Sequence, residues 1–369
     1  MSMSAFARFG LAVSIVTLAA QGSHAQTGGA SGTPGNRAIP AVNAGANPYR
    51  VIRDWAKFGA ENRAWGGSNG VAVDRDGKSV WATDRCSPGT VPGCLGSRAN
   101  PVHLFDETGK EVRSFGGGMF LWPHGIHVDR DGNVWVTDSR APTPAEIASS
   151  PAAAKKGSVV VKFSPTGQVL MTLGQPGVKG NPPMALTEPT DVVTDPTNGD
   201  VYVAESHTDV TDPNLVGRVS VFDRTGKFLR SIGKTGTGPG EFRTPHALEF
   251  DSQGRLIVGD RHNHRVQVLT KDGRFIAEYP EFGRLSGLAI DANNTIYTAD
   301  SESDAARHPG WRRGVRIGSL RDGKVTTFIP PHATDSPDGA MGEGIAIDAA
   351  GNIYRAEANL RGITKYVKQ

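Results

Sequence analysis

One pattern recurs six times along this chain: a short apolar strand ending in aspartate, a turn, and a second apolar strand ending in an acid. The copies open as Asn69-Gly-Val-Ala-Val-Asp74, His124-Gly-Ile-His-Val-Asp129 and Thr190-Asp-Val-Val-Thr-Asp195, then as His246-Ala-Leu-Glu-Phe-Asp251, Ser286-Gly-Leu-Ala-Ile-Asp291 and Glu343-Gly-Ile-Ala-Ile-Asp348. The second acids are Asp84, Asp138, Glu205, Asp260, Asp300 and Glu357. A unit this short cannot bury its own apolar face, so equivalent copies must stack on one another. Asp-x-x-Gly turns such as Asp129–Gly132 and Asp251–Gly254 supply the hairpin chemistry between the two strands.

A third apolar run (Val219–Asp223, Val266–Leu269) and a fourth (Phe228–Ile232, Phe275–Tyr279) complete each unit. Four antiparallel strands per copy, without helical periodicity of useful length, describe the blades of a propeller. The expected fold is therefore all-β: a six-bladed β-propeller with four-stranded antiparallel blades. A β-sandwich would not explain six equivalent copies. Successive strand-ending aspartates are 55, 66, 56, 40 and 57 residues apart. Forty is near a minimal blade, so the longer units carry loop insertions. The last unit has strands at 344–348, 352–357 and 363–367 and lacks a fourth. The run 49–55 is expected to supply it, closing the ring with an N-terminal strand and leaving no exposed edge.

Residues 1–25 read as a signal peptide: Arg8, an apolar run from Phe9 to Ala20, and Ser23-His24-Ala25 as the cleavage pattern. That run is shorter than the roughly 20 apolar residues a membrane helix needs. Gly-, Ala- and Pro-rich residues 26–47 read as a flexible leader, and 48–369 as the propeller. About 320 residues exceed a usual single core, unless the fold is a closed repeat. Export to the periplasm or beyond is expected. Cys86 and Cys94, the chain's two cysteines, share one Gly/Pro-rich stretch and are expected to form a disulfide in that oxidising setting. A net charge of +3 with no basic run suggests neither nucleic acid nor anionic membrane as a partner. A monomer is expected.

Topology assigns chemistry to one face. In an up-and-down blade, the residue opening the first strand and those following the second lie on the same side, near the central channel. The insertions 86–101, 140–157, 206–217 and 301–314 fall there too, and long loops on a rigid scaffold are where binding sites are built. Six polar residues occupy the opening slots: Asn69, His124, Thr190, His246, Ser286 and Glu343. The two histidines and the glutamate belong to alternate blades and point inward from three directions. Two imidazoles and a carboxylate, with room for water, make the ligand set of a catalytic zinc site. Nine histidines in the 344 residues after Ala25 would put about 0.16 in six slots at random, and two are there. The bland alternative is that they only hydrogen-bond strand ends. Arg85 and Arg261 directly follow second-strand acids and can clamp a substrate carboxylate, or pair with those acids instead. His207 and His262 stand just after second strands as candidate general bases or as solvated loop residues. Recurring Asp74, Asp129, Asp195, Asp251, Asp291 and Asp348 read as turn acids.

The same positions resemble peptidyl-α-hydroxyglycine α-amidating lyase, over roughly residues 66 to 365. The likeness is strongest in Trp122-Pro-His-Gly-Ile, Gly132-Asn-Val-Trp-Val-Thr-Asp138, Glu188-Pro-Thr-Asp-Val-Val193 and Pro239-Gly-Glu-Phe-Arg-Thr-Pro-His246. The most NHL-repeat-like segment is Asp260-Arg-His-Asn-His-Arg-Val-Gln-Val268. In the lyase family three histidines bind zinc, and two match His124 and His246. Its two active-site arginines match Arg85 and Arg261, and a methionine near its third zinc histidine matches Met341. Glu343 replaces that third histidine, His207 falls at or near the catalytic tyrosine, and Gly344 replaces an aspartate that helps hold a structural calcium.

The resemblance implies a metal that binds the hydroxyl and carboxylate of an α-hydroxyglycine-type substrate, small or peptidyl. His207 would act as base and Arg85 and Arg261 would hold the carboxylate as the carbon–nitrogen bond breaks. Two other readings remain: a metal-dependent hydrolase of lactones or esters on the same site, and a non-catalytic extracellular binding propeller.

Overall fold

The computed structural model describes residues 39–59, 63–86, 93–207, 212, 214–331, 342–358 and 361–369. The segment read as a signal peptide and most of the leader lie outside them, as does Met341. Six four-stranded antiparallel sheets make a six-bladed propeller. Blades one to five each run inward to outward in chain order. Blade three, for example, is Pro189–Thr194, Val201–Glu205, Arg218–Phe222 and Phe228–Ile232. Blade six is Ile345–Ile347, Ile353–Glu357 and Gly362–Lys368, and its outer strand is Tyr49–Ile52, paired antiparallel with Gly362–Lys368. The N-terminal strand closes the ring as expected.

The core lies between blades. Tyr202, Val219 and Val221 of blade three pack with Leu248, Leu256 and Val258 of blade four, and equivalent clusters fill the other interfaces. Burial of these apolar faces on both sides is why the strands read as nearly continuous Val, Ile and Leu. Near the axis the inner strands approach too closely for side chains. A Cβ on Gly125 would lie 2.7 Å from the Thr190 carbonyl oxygen, and one on Gly344 would lie 2.5 Å from that of Asn69. Glycine after the slot residue is therefore a packing requirement at both positions. Blade three carries Asp191 there instead, and its Oδ2 accepts the Leu248 N–H of blade four at 2.8 Å.

Two features go beyond the sequence reading. Part of the expected leader is held on blade five: Arg316 donates to the Val42 carbonyl (2.8 Å), Arg312 N–H to Asn43 Oδ1 (2.8 Å), and Ala46 bridges Thr327. The insertion of blade two contains a short helix, α1 (Pro144–Ser149). Thr143 caps it, Glu146 completes a capping box, and Pro144 opens it. Among the described residues no helix is long and apolar enough to cross a membrane.

Candidate metal centre and its surroundings

The slot residues meet at one mouth of the channel, a cavity of about 280 Å³ lined by the inner strands. His124 and His246 are each 2% exposed. His124 Nδ1–H donates to the Thr190 carbonyl at 2.7 Å, and His246 Nδ1–H to the Ser286 carbonyl at 2.7 Å. Each imidazole is thus tied to the opening residue of the next blade. A carbonyl can only accept, so these bonds commit each Nδ1–H and turn each Nε2 toward the channel mouth.

Both Nε2 atoms face Glu343. Its Oε2 lies 3.1 Å from His124 Nε2 and 3.7 Å from His246 Nε2. Asn69 Nδ2 donates to the same oxygen at 2.6 Å. His207 comes from the insertion after the second strand of blade three. Its ring centroid is 5.1 Å from that of His124 and 5.5 Å from that of His246. One donor atom from each of His124, His207, His246 and Glu343 lies within 4.8 Å of all the others. The Nε2 atoms of His207 and His246 are buried without a hydrogen-bond partner among the described residues. Orphaned imidazole lone pairs beside a carboxylate suit a cation, and backbone-oriented imidazoles are how proteins hold metal ligands. The residues present fit a divalent metal.

Electrostatics agree. Burial, then the charge of Arg261, pushes the His246 imidazole well below its usual range, so it is neutral. Burial also pushes His207 down, assisted by His124 and Arg261. Burial alone would raise the Glu343 carboxyl, but the adjoining His124 and His246 imidazoles and the charge of Arg261 outweigh it and hold the group well below the carboxylate range.

Both arginines singled out in the sequence border this cluster. Burial lowers Arg85 to about 10, against the attraction of Glu343. Its guanidinium lies 4.0 Å from the centroid of the Trp122 ring, and its Nε has no partner among the described residues. Arg261 is 4% exposed, and its Nε and Nη1 make no hydrogen bond among the described residues. Its nearest carboxylate is not the preceding Asp260, which bonds Arg265 at 2.9 Å, but Glu302 at 3.7 Å. Arg284 donates to the other oxygen of Glu302 at 2.7 Å.

Glu302 and Arg284 were missed from sequence, although Glu302 follows Asp300 by two positions, in the stretch that held Arg85 and Arg261. His262 Nδ1 is bonded to Thr244 Oγ1 at 2.6 Å, and burial with Arg284 and Arg261 pushes its imidazole down to about 2. That bond gives His262 a structural partner. Beside His207 opens a second cavity, about 560 Å³, lined by Trp122, Arg140, Thr143 and Glu146. Arg140 is neutralised there by two bonds to Glu146, 2.6 and 2.8 Å. Cys86 and Cys94 form the expected disulfide, Cα atoms 5.0 Å apart, directly after Arg85.

A six-bladed propeller with a histidine–glutamate cluster at its channel mouth is the class that fold and site define. Residues 199–266 match a family model described as a six-bladed beta-propeller. Peptidyl-glycine alpha-amidating monooxygenase B of Xenopus laevis is 28% identical over 271 residues, covering 70% of this chain and 28% of that protein. NHL repeat-containing protein 3 of Homo sapiens is 26% identical, covering 74% of this chain and 75% of that protein. A probable peptidyl-alpha-hydroxyglycine alpha-amidating lyase of Caenorhabditis elegans is 29% identical over 46% of this chain and 43% of its own length. The chain spans less than a third of the length of the two Xenopus relatives, 28% and 30%. Among solved structures, a gluconolactonase of Xanthomonas campestris superposes with a TM-score of 0.56 at 15% identity, covering 90% of this chain and 99% of its own. That likeness concerns the fold alone. The chain is a six-bladed β-propeller with homologues named as amidating lyases and NHL repeat-containing proteins, at 26–29% identity.

Proposed function

We propose that this protein is an exported, metal-dependent lyase acting on a small or peptidyl α-hydroxyglycine-type substrate bearing a carboxylate. One observation carries the reading: two imidazole Nε2 atoms, aimed by backbone carbonyls, converge on Glu343 Oε2 beside two guanidinium groups with uncommitted N–H donors. His124, His246 and Glu343 would hold a divalent metal, which would polarise the substrate's oxygens and ease loss of the hydroxyl proton.

The chain's own residues supply binding and orientation. Arg261 and Arg85 present planar donor forks that suit the carboxylate. Glu302 and Arg284 position Arg261 without cancelling it, since two guanidiniums face one carboxylate there. Asn69 holds Glu343 by its oxygen. His207 borders the same space, where its unpartnered Nε2 can serve as a base or as a ligand. In the reaction the hydroxyl O–H electrons form the new carbonyl. The C–N pair leaves with nitrogen, which takes up a proton, giving an amide and glyoxylate.

The test is glyoxylate release from N-acyl α-hydroxyglycines by metal-loaded protein, measured beside hydrolysis of lactones and esters. Glyoxylate release lost on chelation is the expected result. Chelator-sensitive lactone or ester hydrolysis without glyoxylate would overturn the lyase reading in favour of a hydrolase.

A further inference from the structure

Three imidazoles, not two, meet Glu343 at the channel mouth. His207 stands edge-on to His124, with ring planes at 76°, and is tilted 43° to His246. Its Nε2 is buried and unpartnered among the described residues, as is that of His246. A buried imidazole nitrogen without a hydrogen bond bears an uncompensated desolvation cost, which a shared cation would remove. Nor is His207 placed as a loosely held base. It directly follows Ser206, whose N–H bonds the Glu188 carbonyl at 3.2 Å, and its own N–H faces Glu188 Oε2 at 3.3 Å. Both anchors fix it at the root of the insertion, two residues after the strand Val201–Glu205.

We propose that His207 is a fourth protein ligand, so that the site binds its metal through three histidines and one glutamate. This rests on the metal reading above and deepens it. It also restricts the ion. A tetrahedral ion with four protein ligands has no position left for substrate. A site that also takes a substrate hydroxyl and carboxylate therefore calls for an ion accepting five or six nitrogen and oxygen ligands. Manganese, iron(II), cobalt(II) and nickel suit it better than tetrahedral zinc. With its Nε2 committed to the metal, His207 is not the group that receives the hydroxyl proton.

Cobalt(II) alone is a suitable probe for the purified protein, because its visible spectrum separates four-coordinate from higher-coordinate sites. X-ray absorption counts imidazoles independently of turnover. The expected results are three imidazoles per cobalt, the weak visible bands of a five- or six-coordinate ion, and roughly 100-fold or greater loss of cobalt affinity in His207→Ala. His207→Gln should lose affinity likewise, with circular dichroism confirming that each variant is folded. Wild-type cobalt affinity and an unchanged spectrum in both variants would overturn the ligand role while leaving the metal site intact. Absence of cobalt binding to the wild-type protein would overturn both.

Discussion

The two ends of the inner-strand motif carry polar residues of opposite fates. At the far end, Asp129 accepts the Asp131 and Asn133 N–H groups (2.9 Å each) and the Trp135 indole N–H (3.0 Å). Asp251 accepts from Gln253, Arg255 and the Arg255 side chain, and Asp348 from Ala350, Asn352 and Tyr354. Those oxygens are spent on the turn. At the near end, His246 and His207 keep an unpartnered Nε2, Arg85 an unpartnered Nε, and Arg261 two unpartnered nitrogens, among the described residues. Recurrence in every blade marks the residues that the fold consumes. Polar atoms that the fold leaves without a partner mark the candidate site.

Substitutions at the two ends should therefore separate function from stability. The largest effect belongs to His124→Ala/His246→Ala. We expect metal affinity to fall by well over the roughly 100-fold that loss of a ligand's supporting hydrogen bond can cost. Circular dichroism should show the propeller intact. Next, Arg261→Ala should raise KM for a carboxylate substrate roughly 10- to 100-fold, the worth of a charge-assisted hydrogen bond, with a smaller change in kcat. An equal effect on an uncharged analogue would remove the carboxylate role. At the turn end the pattern reverses. Asp251→Ala should cost about 1–3 kcal/mol of stability in denaturant unfolding and leave metal affinity unchanged.

A pH-dependent effect lies inside the channel, where burial raises Asp191 to about 7 and Glu249 to about 8. Such carboxyls bind protons more tightly folded than unfolded. Their contribution is therefore full below about pH 4 and is lost as pH rises towards 7 and 8. Glu249→Gln should raise the melting temperature at pH 8.5 and leave it little changed at pH 4. A uniform shift at both pH values would show that packing, not ionisation, is responsible.

Six blades, their ring closure and the slots holding His124, His246 and Glu343 were legible because a repeat fixes register, and register fixes which residues share a face. The turn acids were legible for the same reason. What the repeat does not encode lies in the insertions. His207 reaches the slot histidines from the root of an insertion, held there by Glu188 rather than by any repeat position, so it read as a base rather than as a member of the cluster. Glu302 and Arg284 come from a loop and from the approach to a strand, and their pairing depends on how blade five abuts Arg261. The signal for α1, Thr143-Pro-Ala-Glu146, was present but shorter than any useful periodicity. Val42 and Asn43 sit in a stretch whose composition reads as unstructured. Their order comes from Arg316 and Arg312, far away in sequence.

In the proposed function the donors left without partners at the channel mouth hold one divalent metal ion. Equilibrium dialysis of the chelator-stripped protein against a divalent metal, with elemental analysis, tests it most directly. One ion per chain, lost in His124→Ala/His246→Ala, is the expected result. Stoichiometric binding that persists undiminished in that double variant, or none in the wild-type protein, would contradict it.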